Sequence, residues 1–243
     1  MEEMTRASAT PASFAKFDGA GKWMAPRHIQ VIDRAVVAAV NGTGSKQIIV
    51  TMPPRHGKSE YCSKYVPSWY VGHFPEDRVI LTSYAASFAA SWGRKSRELM
   101  EKYGRSMYGI GLADAPQAAD NWATTEGGGM VTAGAGGQIT GKGGNLLICD
   151  DPVKNAEEAG SRRQREKIWD WWRSTFYSRR EPGAVTILIQ TRWHEDDLAG
   201  RLIRDQPTDW KVINFAAIDD QGKALWPGRY TVGDLAQIRR NLG

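Results

Sequence analysis

Residues 47–59 read Gln-Ile-Ile-Val-Thr-Met-Pro-Pro-Arg-His-Gly-Lys-Ser. The run Gln47-Ile48-Ile49-Val50-Thr51 is short, rich in β-branched residues and followed by prolines, which reads as a strand delivering a loop. Pro53 and Pro54 fix φ at about −65° and carry no N–H. Any cradle for an anion must therefore come from Arg55, His56, Gly57, Lys58 and Ser59, with Glu60 directly behind. Ser59 to Val71 reads as helix, and a helix opening here aims its unpaired N–H groups and positive dipole end at the same spot. Gly-Lys-Ser after a strand matches the second half of G-x-x-x-x-G-K-[ST], although Met52 stands where the first glycine belongs. In that pattern Lys58 reaches the β- and γ-phosphates of ATP and the Ser59 hydroxyl ligates Mg²⁺.

Hydrolysis needs acids as well. Asn145-Leu146-Leu147-Ile148-Cys149-Asp150-Asp151 is apolar on both faces until it ends in two carboxylates, followed by Pro152. That suits a central strand covered on both sides, with its acids at the sheet edge where α/β proteins bind ligands. Asp150 is the candidate Mg²⁺ ligand, directly or through water. Asp151 is the candidate group to orient or deprotonate the attacking water, with Glu157 and Glu158 in reserve. The strand Ala184–Gln190 ends in Gln190-Thr191-Arg192, where Thr191 and Arg192 are placed to sense a γ-phosphate. Gln30, upstream of the loop, is a candidate reader of the adenine edge. His194-Glu195-Asp196-Asp197 looks like a metal cluster, but acids in a first helical turn are expected from the dipole alone. Asp196 reads as the N-cap of a helix to Arg204.

Further along, Arg78–Ser83 and Lys211–Phe215 read as strands. Helices are expected over 26–40, 85–103, 161–177 and 234–242. The Gly- and Ala-rich stretch 104–144 offers only a weak strand near Met130-Val131-Thr132. In the helix after Ser161, Ile168, Trp172 and Phe176 recur at core spacing, while Arg162, Arg163 and Arg165 stay outside. Arg162 or Arg163, or Lys142 in Thr140–Gly144, are candidates to reach a neighbouring subunit's nucleotide. Strands alternating with helices predict an α/β fold: a P-loop NTPase three-layer sandwich, a mainly parallel β-sheet with helices on both faces. Residues 1–25, rich in Ala, Ser and Thr at their start, read as a flexible lead-in. Residues 26–215 read as the core and 216–243 as a C-terminal extension.

With 243 residues the chain can build one sizeable core. No stretch approaches the ~18 apolar residues of a membrane span, and Met-Glu-Glu does not open a signal peptide. Cys62 and Cys149 fall on the expected loop helix and acid-ended strand, as buried thiols of a reducing compartment. No Cys/His spacing suggests zinc. The net charge of +5 mildly favours a polyanionic partner.

Together these residues resemble the large terminase subunit of tailed double-stranded DNA phages, in its N-terminal ATPase part. The likeness rests on Met52–Glu60, Leu146–Lys154, Thr191–Arg201 and Leu225-Trp226-Pro227, and runs from about Pro26 onward. It implies an ATP-driven motor that threads double-stranded DNA into a procapsid in the host cytoplasm. Such a motor works as a homo-oligomeric ring, commonly a pentamer, on the portal protein, with the small terminase subunit as a further partner. In isolation a monomer is compatible with the likeness. The resemblance also implies Arg55 as phosphate sensor and Lys142 as the basic residue acting across subunits. Large terminases carry a ribonuclease H-like nuclease domain after the ATPase. The length here leaves no room for one, so nuclease activity is not expected of this chain. A helicase-like DNA translocase, or an assembly module that binds nucleotide without hydrolysing it, are the alternatives.

Overall fold

The apolar runs pair into a single eight-stranded sheet. The strands are β1 (Gln47–Thr51), β2 (Arg78–Ser83), β3 (Leu112–Gln117), β4 (Asn121–Thr124), β5 (Gly129–Gly134), β6 (Gly144–Asp150), β7 (Arg180–Gln190) and β8 (Lys211–Asn214). Their order in this computed structural model, which describes residues 2–139, 141 and 143–242, is β3-β4-β5-β2-β6-β7-β1-β8. From β5 to β8 every pairing is parallel. The hairpin β3–β4 closes one edge antiparallel. The Gly-rich stretch thus holds three strands where the sequence suggested one.

Strict alternation along the central strands makes the layers. Ile48, Val50, Val79, Leu81, Leu146, Ile148, Ile187 and Ile189 belong to one buried cluster. The intervening Ile49, Ile80, Leu147, Cys149 and Leu188 belong to another. Successive side chains of a strand point to opposite faces, so a doubly apolar strand needs a helical layer on each side. Ile29, Ile32 and Val36 of α3 (Arg27–Val40) cover the first face. Ile168 and Trp171 of α8 (Arg162–Trp171) cover the second, with Leu198 and Leu202 of α9 (Leu198–Asp205). The Trp171–Trp172 stretch is therefore core. Helices α6 (Ala86–Tyr103) and α10 (Val232–Leu242) form close to their expected bounds, and a short α7 (Ala156–Gly160) precedes α8. Cys62 and Cys149 are buried free thiols that fall in different clusters.

The N-terminal segment departs from expectation. Residues 1–25 read as a flexible lead-in, yet α1 (Glu2–Ser8) and α2 (Pro11–Asp18) form there. Thr10 caps α2, its hydroxyl accepting from Ser13 N at 3.1 Å. Phe14 is fully buried, edge-on to Tyr65, Tyr103 and Tyr108 with ring centroids 6.1, 5.6 and 6.0 Å away. Asp18 accepts from Lys64, Tyr65, Lys102 and Tyr103 at 3.0–3.2 Å. The small polar composition hid one aromatic anchor and one carboxylate, and both find their partners far away in sequence. Replacing Phe14 with Ala should cost about 3–5 kcal/mol, the usual penalty for emptying a buried aromatic site. Urea unfolding of the variant measures it, and a loss below about 1 kcal/mol would return this segment to a loosely attached lead-in.

Candidate nucleotide site

Register brings the motifs together. Thr51 pairs with Gln190, and Asp150 with Ile189, so β1, β7 and β6 end level. The ladder runs one residue further: Met52 N donates to Gln190 O at 3.3 Å, and Asp151 N to Ile189 O at 2.8 Å. Because β7 lies between β1 and β6, Thr191 emerges between the loop and the acids.

Lys58 Nζ donates to Asp151 Oδ2 at 2.6 Å and to Thr191 Oγ1 at 3.1 Å. Thr191 N donates to the other carboxylate oxygen, Asp151 Oδ1, at 2.7 Å. Lys58 is only 5% exposed, so its charge depends on these oxygens for solvation. Asp151 adopts φ +45°, a left-handed turn that Asp tolerates better than most residues.

Asp150 is fully buried and receives two hydroxyls: Ser59 Oγ on Oδ1 at 3.0 Å and Ser63 Oγ on Oδ2 at 2.8 Å. Burial first, and the Asp151 charge second, push its pKa up to about 7, against Lys58, Ser63 and Ser59. A carboxylate so poor in positive charge, facing a serine hydroxyl at 3.0 Å, fits Mg²⁺. That ion takes hard oxygen donors and keeps most of its shell as water and substrate phosphate. Ser63 was not singled out from sequence. The signal was available, since Ser59 and Ser63 stand four apart on one helix face. The helix is α4 (Lys58–Glu60), continuing through a π turn (Tyr61–Tyr65) into α5 (Val66–His73).

The loop is held from behind. Arg55 and Gly57 both take positive φ, +61° and +89°. A Cβ on Gly57 would meet only ordinary contacts, 3.7 Å to Ile29 and 3.9 Å to Trp226, so conformation rather than space calls for glycine there. His56 Nδ1–H donates to Pro54 O at 2.8 Å, and His28 Nε2–H donates to His56 O at 2.9 Å. A carbonyl only accepts, which assigns both protons. Burial lowers the pKa of both rings, keeping them uncharged at neutral pH.

Other candidates sit elsewhere. The Gln30 amide donates to Ala25 O at 2.7 Å. The Arg55 side chain is exposed, as are Glu157, Arg162 and Arg163. Glu158 Oε2 accepts from Lys154 N at 3.1 Å. Lys142 lies outside the described residues. Arg192 is held by Asp197, Nε to Oδ2 at 2.6 Å. Asp197, rather than Asp196, caps α9, accepting from Gly200 N at 2.8 Å. Among the described residues no group of three or more His, Cys, Asp and Glu converges as a metal cage.

Two voids flank the site. One of about 20 Å³ beside Asp151 and Thr191 has room for a water at most. The other, about 540 Å³, opens beside Gly57 and Glu60 and is walled by Trp23, Tyr65 and Trp226. Only the second can take an organic ligand.

Asp196 instead anchors a basic cluster: Arg201 Nη2 lies 2.6 Å away, Arg165 Nε 3.3 Å and Arg204 Nη1 3.3 Å. The hydrogen bonds from Arg201 above all, then from Arg204 and Arg165, hold its carboxyl far below the usual range. A depressed folded-state pKa means that the unfolded chain binds the proton first. The contribution is therefore complete above the ordinary carboxylate pKa of about 3.9 and is lost as pH falls below it. Asp196→Asn should lower stability at pH 7 and flatten the wild-type decline below about pH 4. Urea midpoints from pH 7 to pH 2 test this, and parallel curves would refute it.

The family model described as "Terminase large subunit, T4likevirus-type, N-terminal" matches residues 49–231. No curated protein matches the chain. Among solved structures, the large terminase of bacteriophage HK97 is similar at 13% identity and a TM-score of 0.54, over 82% of this chain and 40% of that one. The large terminase of a thermophilic bacteriophage matches at 13% identity and a TM-score of 0.45, over 82% of this chain and 50% of that one. This chain therefore spans less than half the length of the HK97 protein. The HK97 likeness shows the fold, an α/β sandwich around a mainly parallel sheet. With three quarters of its length under the family model, the chain belongs to the terminase large subunit family, in its N-terminal part.

Proposed function

We propose that the chain is the Mg²⁺-dependent ATPase motor of a phage large terminase, coupling ATP hydrolysis to movement of double-stranded DNA into a procapsid. The observation that carries this reading is the convergence of Lys58, Asp151 and Thr191 within 3.1 Å of one another's polar atoms, next to the Ser59–Asp150 pair.

Lys58 and Asp151 neutralise each other when no phosphate is near. An incoming γ-phosphate competes for the ammonium and frees Asp151 Oδ2, while Thr191 N keeps Oδ1 in place. The freed oxygen accepts the proton of a water that attacks phosphorus as the bond to the β-phosphate oxygen breaks. Ser59 and Asp150 would hold Mg²⁺, which would supply positive charge to the phosphate oxygens. Thr191 touches both members of the ion pair, so departure of phosphate alters the end of β7. Arg192 next to it carries that change to Asp197 at the start of α9.

Arg55 in the loop and Lys142, from a neighbouring copy, complete the proposed phosphate contacts. The proposed partners are DNA, the portal protein and the small terminase subunit, with the motor as a pentameric ring.

Phosphate release with DNA, at high protein concentration so that neighbours can engage, tests the reading. Lys58→Ala should lose at least about 100-fold in turnover, the scale for removing one preorganised charge contact. Turnover at the wild-type rate would dismiss the assignment. Asp151→Asn should bind nucleotide at least as well as wild type, because the competing carboxylate charge is gone, yet hydrolyse about 10²–10⁴ times more slowly. Hydrolysis at full rate would transfer the base role to Glu157 or Glu158.

A further inference from the structure

The cavity beside Gly57 is built from three distant parts of the chain. Trp23 comes from the segment before α3, Gly57 and Glu60 from the loop, and Trp226 and Arg229 from the segment after β8. We propose that it is the subsite for an aromatic base and its sugar, and that Trp226 is the wall on which the base stacks. This rests on the reading of the Lys58 loop as a nucleotide site.

A Cβ on Gly57 would lie 3.9 Å from Trp226 Cζ3, so the indole stands directly against the phosphate loop. A volume of about 540 Å³ falls within the roughly 300–1,000 Å³ typical of small-molecule sites. Its walls are aromatic and its rim is charged. Trp23 packs edge-on to Tyr65 at 5.6 Å between ring centroids. The Arg229 guanidinium sits 5.3 Å from the Trp226 ring, a cation over an aromatic face. Lys22 lines the same cavity. Flat π-faces with adjacent cations suit a heteroaromatic ring attached to phosphate, and a purely aliphatic ligand would leave the cations unused.

Trp226 is also held in place. Arg229 N and Tyr230 N both donate to its carbonyl at 3.0 Å, and Leu225 N donates to Ala217 O at 2.9 Å. Its ring lies 5.6 Å from His28, which in turn holds the His56 carbonyl. A wall fixed before ligand arrives costs less ordering on binding. The Gln30 amide, by contrast, is taken up by Ala25 O, and Gln30 does not line this cavity.

The test compares Mg-ATP with inorganic tripolyphosphate by calorimetry on the full chain. Wild type should bind ATP more tightly than tripolyphosphate. Trp226→Ala should weaken ATP roughly 5- to 100-fold, the span carried by stacking one base on an aromatic ring, and leave tripolyphosphate unchanged. Trp226→Phe should restore most of the ATP affinity. Equal loss of both ligands would make Trp226 a mere brace for the loop through His28 and overturn the proposal. Should Trp226→Ala fail to fold, Trp23→Ala lies in the wall of the same cavity and should give the same ATP-selective loss. No change in the ratio of the two affinities in that variant overturns the proposal. Wild type binding both ligands equally overturns this inference alone, whereas wild type binding neither overturns the phosphate-site reading with it.

Discussion

A lysine ammonium almost sealed from water must find its solvation in the protein, and here it finds two oxygens, one on Asp151 and one on Thr191. Much of the architecture serves that requirement. Asp151 reaches the lysine because it adopts a left-handed turn one residue past β6, and Thr191 because β7 ends beside it. An ion pair in so dry a place holds only while its geometry is good. A shift of one residue in the register between β6 and β7 would turn every side chain to the opposite face and leave the lysine unpaired.

The second acid has the opposite problem. Asp150 is enclosed with two hydroxyl donors and no cation in direct contact, and its proton affinity rises accordingly. Both hydroxyls come from one helix face, and the turn that follows Glu60 is a π turn carrying Ser63. Such turns occur disproportionately at functional sites. The two acids, adjacent in sequence, thus differ in chemistry: one is already neutralised by a lysine, the other is paired only with hydroxyls.

The segments outside the central strands are not accessories. Phe14 and Asp18 tie the N-terminal helices to the aromatic cluster under the first helical layer, and Trp226 brings the segment after β8 against the loop that precedes α4. His28 of α3 joins the loop to the segment after β8, since its ring neighbours Phe215 and Trp226 while its N–H holds the loop carbonyl. The loop's shape therefore depends on α3 and on the segment after β8.

Features that follow from local periodicity and local chemistry were readable from the residues alone. Gln47–Thr51 and Arg78–Ser83 read as strands with their observed limits, because β-branched runs closed by turn residues carry that signal locally. The candidate residues Asp150 and Asp151 stand at the end of such a run, and Lys58 and Ser59 follow one in a Gly-Lys-Ser pattern, so their convergence was foreseeable from local signals. Long-range packing fixed the rest. The β3–β4 hairpin lies in a stretch whose Gly and Ala give weak periodicity, so pairing with β5 defines it. Asp197 rather than Asp196 became the cap because three arginines from α8 and α9 draw Asp196 away. Ser63, His28 and Trp226 gained their roles only when strand pairing brought segments distant in sequence to one edge of the sheet. Burial and register are properties of the assembled layers, and no window of adjacent residues contains them.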